Sequence, residues 1–268
     1  MNSNVTKNDF YGDLQEARKF RQLEQRLLGD SNLPGPRANL GAASAFADAF
    51  GSDWVTGEAW ELLVKWSGKT ESDAPTDDPR EFLPFCALQA MGTYYCYAEP
   101  SRQQLILERC QAAMNDSRWR MREAAAMALQ RIGEQDFGAL RSLIDAMKGT
   151  ANALEKRAFV AALAHPSMLK DSTHVLYALE LSEEILDEIA AGQTHYGAED
   201  FRVLSKGLEY ALSVFVERAP EVGFRLLAKF AVTDDKRMQK IVKTNLGKAR
   251  LAKKFSQDVE RIQLMMNA

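Results

Sequence analysis

From Asn8 onward the chain reads as a series of apolar stripes of helical period, separated by short polar breaks. The stretch Asp116–Gly133, DSRWRMREAAAMALQRIG, carries the clearest stripe. Met121, Ala125, Ala128, Leu129 and Ile132 recur at i, i+4, i+7, i+8 and i+11, one face of a 3.6-residue period. Ala124, Ala125 and Ala126 keep that helix thin, so a neighbour can approach closely. Asn115 or Asp116 is placed to cap its start, and Gly133 to close it with a left-handed C-cap. Arg118, Arg120 and Arg122 crowd its N-terminus, where each cation opposes the helix dipole by roughly 0.3–1 kcal/mol. Such a cluster requires a carboxylate on a neighbouring helix or an anionic ligand.

The same pattern divides the rest of the chain. Phe10, Leu14, Ala17, Phe20, Leu23 and Leu27 predict an amphipathic helix over Asn8–Leu28, broken by Gly29, Asn32, Pro34, Gly35 and Pro36. Arg37–Phe50 and Asp53–Trp66 read as a first antiparallel helical pair. Trp54, Trp60 and Trp66 are six residues apart, so they do not share a face; some of them are expected to plug gaps between repeats, and any exposed on a concave surface would be binding anchors. The polar segment Ser67–Pro79, SGKTESDAPTDDP, reads as a flexible loop and a protease site. Arg80–Tyr97 and Pro100–Met114 form the next pair, with Tyr94, Tyr95 and Tyr97 at the junction either half-buried or offering a stacking platform. Phe137–Met147, Ala151–Ala164, Asp171–Ala191, Ala198–Val216, Pro220–Phe230 and Asp234–Leu251 follow, and Ala252–Met266 reads as a capping helix. No alternation of period two extends beyond a few residues.

The helix at Asp116 resembles the HEAT-repeat family, through Asp116, Arg122 six residues later, and the small or apolar Ala125, Ala128 and Leu129. The stretch ALEKRAFVAALA echoes it 34 residues on, placing Lys156 on Arg122 and Leu163 on Leu129. Met238, Val242 and Leu246 stand 117 residues after Met121, Ala125 and Leu129. The resemblance implies an all-α fold: a single domain over 1–268, a right-handed α-α superhelix of the HEAT or armadillo kind with about five to six hairpins. It also implies that the Asp and the Arg bridge neighbouring repeats.

Composition narrows the class without naming a function. Hydrophobic residues at 46% and charged residues at 26% are those of a globular domain. No run of eighteen apolar residues occurs and no secretory pattern opens the chain, so a cytoplasmic protein that does not enter a membrane is expected. Cys86, Cys96 and Cys110 lack metal spacing and read as reduced, apolar residues. His165, His174 and His195 read as surface or helix-end residues, and no metal or other cofactor is expected. The net charge is −3, unevenly distributed: eight acids and no Lys or Arg lie between Asp171 and Phe201, nine basic residues against two acids between Lys229 and Lys254.

No GxSxG, GxxxxGK, HExxH or GxGxxG motif occurs. The expected function is therefore a non-enzymatic binding or scaffold protein that presents a concave surface to a protein or peptide, an acidic one by charge. Arg118, Trp119, Arg122, Lys236, Arg237, Lys240 and Lys243 are its expected contacts. The alternative is DNA, because alkylpurine DNA glycosylases of bacteria share HEAT-like hairpins. That resemblance implies a basic concave face on DNA with aromatic residues and a carboxylate near the damaged nucleotide, a cluster expected of Trp119 beside Asp116 with Arg118, Arg120 and Arg122, and phosphate contacts from the basic helix at Lys236–Lys254. Bilin lyases also use HEAT-like arrays, but nothing in this chain selects their chemistry.

Overall fold

The computed structural model describes residues 8–192 and 196–267. They form fifteen α-helices linked by turns, with no strand among the described residues. The two extra helices relative to the sequence pattern come from two stripes that break. Asn8–Leu28 is not one helix but α1 (Asn8–Leu14), a 3-10 turn and α2 (Phe20–Gly29). Glu16 takes an extended conformation between them, and its carboxylate bonds both Arg18 and Lys19. The bend sets the Arg26 guanidinium 4.6 Å over the Phe10 ring. Asp234–Leu251 likewise divides at Gly247 into α13 (Lys236–Leu246) and α14 (Ala249–Ala252).

The chain packs as two compact units, Met1–Leu140 and Arg141–Ala268. The first contains α1, α2, α3 (Leu40–Asp48), α4 (Gly57–Ser67), α5 (Phe82–Tyr94), α6 (Pro100–Met114) and α7 (Trp119–Gln135), and α8 (Phe137–Met147) begins at its end. Helix α5 is its centre: every residue from Phe82 to Tyr94 is buried, as expected of a helix that is apolar all round. It packs on α2, α3, α4, α6 and α7. Against α7 the approach is closest at Gly92, where a Cβ would lie 2.5 Å from the Ala128 carbonyl oxygen and 2.7 Å from its Cα. The small faces of Gly92 and the alanines of α7 are what let these backbones meet.

Trp66 is fully buried between Phe46 and its neighbours, and the Trp60 ring lies 6.0 Å from Tyr94. Trp54 donates its indole N–H to the Ala49 carbonyl at 2.9 Å. These tryptophans fill gaps between helices. Tyr94 is packed in, whereas Tyr97 stands exposed.

The second unit is built on the long α11 (Ala198–Arg218), which packs on α9 (Ala153–Leu163), α10 (Ser172–Ala190), α12 (Pro220–Ala231), α13 and α14, with α15 (Ser256–Met266) against α12. Buried Asn245 ties α13 to α11. Its oxygen accepts from the Ser213 backbone N–H at 2.8 Å, and its amide donates to the carbonyls of Leu208 and Ile241. Helix α9 starts with a capping box between Asn152 and Glu155. Lys156 is buried and bonded to Glu188 and to the Tyr196 hydroxyl. Burial works against its charge, but those two partners outweigh it and hold its pKa above the usual lysine value. No helix among the described residues is long and apolar enough to cross a membrane.

Candidate functional site

The arginine cluster was the first candidate, and its geometry follows from how α7 begins. The N-cap is Arg118, not Asn115 or Asp116, and Gly133 lies inside the helix, which runs on to Gln135. Asp116 nevertheless organises the start. Its Oδ1 accepts from the Arg118 backbone N–H at 2.8 Å and from Nε at 2.9 Å, while Oδ2 accepts from Nη2 at 2.6 Å. Burial disfavours the Asp116 charge, but the Arg118 contacts outweigh it and hold its carboxyl below the usual range.

The rest of the Arg118 fork turns inward. Nη1 donates to the carbonyls of Thr70 and Ala74, and Nη2 to that of Lys69. Ser117 adds a hydroxyl bond to Glu71 at 2.6 Å. The 67–79 segment thus has its backbone tied to the start of α7.

Arg120 is engaged as fully. It is 2% exposed and pairs through Nη1 with Asp77 at 2.6 Å and Glu81 at 3.1 Å, while Nη2 bonds the Gly35 carbonyl. Glu81 is completely buried, and burial raises its pKa, an effect that Arg120 and the Asp77 N–H only partly offset. The Trp119 ring, 43% exposed, covers the Arg120 guanidinium at 4.3 Å. Arg122 donates through Nη1 to the carbonyls of Asp116 and Ser117. The partners that these cations require are carboxylates and carbonyls of the protein itself.

The Asp116–Arg118 clamp recurs. At Asp78–Arg80 and at Asp235–Arg237 the same three donors, N, Nε and Nη2 of the arginine, close on the aspartate two residues earlier. Each clamp stands at the start of a helical segment: Asp116–Arg118 just before α7, Asp78–Arg80 at the 3-10 turn that leads into α5, and Asp235–Arg237 across the N-terminus of α13. This Asp-x-Arg signature is legible in the sequence, but a search for Asp and Arg six residues apart passes over it. Its aspartates titrate low for that reason, Asp78 at about 2, where the Arg80 side-chain and backbone bonds are the cause.

The remaining expected contacts lie on α13. Lys236, Lys240 and Lys243 follow one another at i, i+4 and i+7 on its exposed side, opposite buried Met238, Ile241, Val242 and Leu246. Arg237 is held by Asp235 and lies 5.0 Å over the Phe201 ring. Lys240 meets Glu209 only loosely, at 3.6 Å with 74% of its side chain exposed. Lys236 and Lys243 have no carboxylate within ion-pair distance among the described residues.

The acidic ridge of α10 is compensated: Glu183 and Asp187 bind Lys229, Glu184 binds Lys148, and Glu188 binds Lys156. Among the described residues no three His, Cys, Asp or Glu side chains gather as a metal-holding group. His174 Nδ1 lies 3.0 Å from the Met168 carbonyl, and His195 lies outside the described residues. Burial pushes the Cys110 thiol up to about 12 and raises the Cys86 thiol well above its ordinary value, so neither supplies a thiolate near neutral pH. Comparison with known protein families, curated proteins and solved structures finds no match to this chain.

Proposed function

We propose that this chain is a non-enzymatic protein-binding module of HEAT-like type, its hairpins following one another in right-handed superhelical order. Support for the repeat reading comes from the recurring Asp-x-Arg clamp at the starts of α7 and α13. Support for the binding reading comes from one observation above all. Lys236 and Lys243 present ammonium groups without an ion-pair partner among the described residues on one exposed stripe, with Lys240 between them held only loosely. A partner segment rich in Asp and Glu satisfies those charges, whereas Arg118 and Arg120 are already satisfied within the protein.

A DNA-binding reading, related to the alkylpurine glycosylases, draws on the same lysines and on exposed Trp119. It loses Arg118 and Arg120 as phosphate contacts, because both are buried in ion pairs. Phosphate neutralisation needs cations free to displace counterions.

Charge reversal tests the proposal. Lys236→Glu with Lys243→Glu should weaken binding of a fluorescent acidic peptide by about tenfold or more, while leaving the fold intact because both side chains are exposed. Unchanged binding of that peptide to the double variant contradicts the assignment of the surface.

A further inference from the structure

The first unit carries a second surface with different chemistry. Between α2 and α4 runs a solvent-open trough of about 1230 Å³. Half-buried Phe20 and Leu28 line it from α2, and Leu62 lines it from α4. Phe20 and Leu28 are eight residues apart on one helix face, a run of about 12 Å at the helical rise, two turns of a docked helix. Five charged side chains rim the apolar strip: Arg21, Glu24, Glu58, Glu61 and Lys65. None of the five has an ion-pair partner among the described residues, unlike the acidic ridge of α10, whose charges are paired across helices. Glu58 and Glu61 stand one turn apart on the α4 rim, both exposed, and Glu24 faces the trough from α2.

We infer that the α2–α4 trough docks an amphipathic α-helix of a partner protein, with its apolar stripe on Phe20, Leu28 and Leu62 and its basic flank against Glu58 and Glu61. An apolar strip with a charged rim is the layout of helix-in-groove recognition, in which apolar anchors at i, i+3 or i+4 and i+7 supply affinity and rim charges select the partner. The excess of carboxylates, three against two cations, sets the preferred flank as basic. This rests on the reading of the chain as a protein-binding module, but on a different unit and the opposite charge from the lysine stripe of α13.

The test uses the full chain and two labelled peptides of about 18 residues, long enough to hold helix in water. Both carry the same leucine stripe; one has lysines and the other glutamates on its flanks. In the Lys236→Glu, Lys243→Glu background, where the α13 stripe no longer attracts an acidic peptide, the chain should bind the lysine peptide at least about tenfold more tightly than the glutamate peptide. Glu58→Lys with Glu61→Lys should exchange that preference, and Glu61→Lys alone should weaken it, with thermal melts of both variants matching the wild type. The Lys236→Glu, Lys243→Glu variant should bind the lysine peptide as the wild type does, so that failure of the α13 surface and failure of the trough are read separately. Binding of neither peptide, equal binding of both, or an unchanged preference in Glu58→Lys, Glu61→Lys overturns the inference. A concentration-dependent dimer in sedimentation that those two substitutions dissolve overturns it in favour of a second copy of this chain.

Discussion

At the scale of single residues, the same local motif has two different weights. Arg118 and Arg237 make identical clamps on the preceding Asp, but Arg118 is 2% exposed and holds three backbone carbonyls besides. Removing it strands those acceptors and the Asp116 charge, which costs about 3 kcal/mol or more. Arg237 is half-exposed, and its loss costs under about 1 kcal/mol. Chemical denaturation of Arg118→Ala and Arg237→Ala checks the contrast; equal losses contradict it. Limited proteolysis of Arg118→Ala should also open the 67–79 segment, whose carbonyls that side chain holds.

Arg120 gives a pH-dependent version of the same logic. Glu81 is raised above its ordinary value of 4.5 in the folded state, so it binds protons more readily there than in the unfolded chain. Its contribution is fully present below that ordinary value and is lost as pH rises through the folded value. Arg120→Met removes a group that opposes the shift, so the folded pKa climbs further. The variant should therefore be about 3–5 kcal/mol less stable than the wild type near neutral pH, with the gap shrinking as pH falls through the raised folded values and no longer changing below Glu81's ordinary value. Denaturation at the two pH values reads it, and a gap independent of pH excludes Glu81 as the cause.

At the scale of elements, the helices depend on where backbones touch. Gly92→Ala drives a methyl into the Ala128 backbone and should cost about 1–3 kcal/mol, whereas Gly12, in α1 with nothing within 4 Å of a Cβ, should gain about 0.5–1 kcal/mol as alanine. Thermal unfolding of the two variants should move in opposite directions; a shared direction would mean that the α5–α7 crossing does not control stability. The apolar period made most of these helices legible, because the side chains that repeat every three to four residues are those the core needs. Breaks inside a stripe were not legible. Phe10, Leu14, Phe20 and Leu23 keep their spacing through the bend at Glu16, since both short helices bury the same face. The arginines of α7 were legible as charges needing partners, but not as buried ones, because Asp77, Glu81 and the 69–74 carbonyls reach them only through the fold.

At the scale of the whole molecule, charge is the property on which the proposed function rests. The net charge of −3 conceals compensated ridges, Lys236 and Lys243 of α13, and the rim of the α2–α4 trough, the last two without ion-pair partners among the described residues. The lysine stripe could be read from sequence because its period and sign are local. The trough could not, because it joins residues of α2 to residues of α4 some 40 positions apart. The most direct test of the protein-binding account is a titration of the wild type with a labelled acidic peptide and with labelled duplex DNA, at low and at moderate salt. The account predicts saturable binding of the peptide, with DNA binding no more tightly at either salt. Tighter DNA binding that falls steeply with salt, together with release of bases from alkylated duplex, would contradict it.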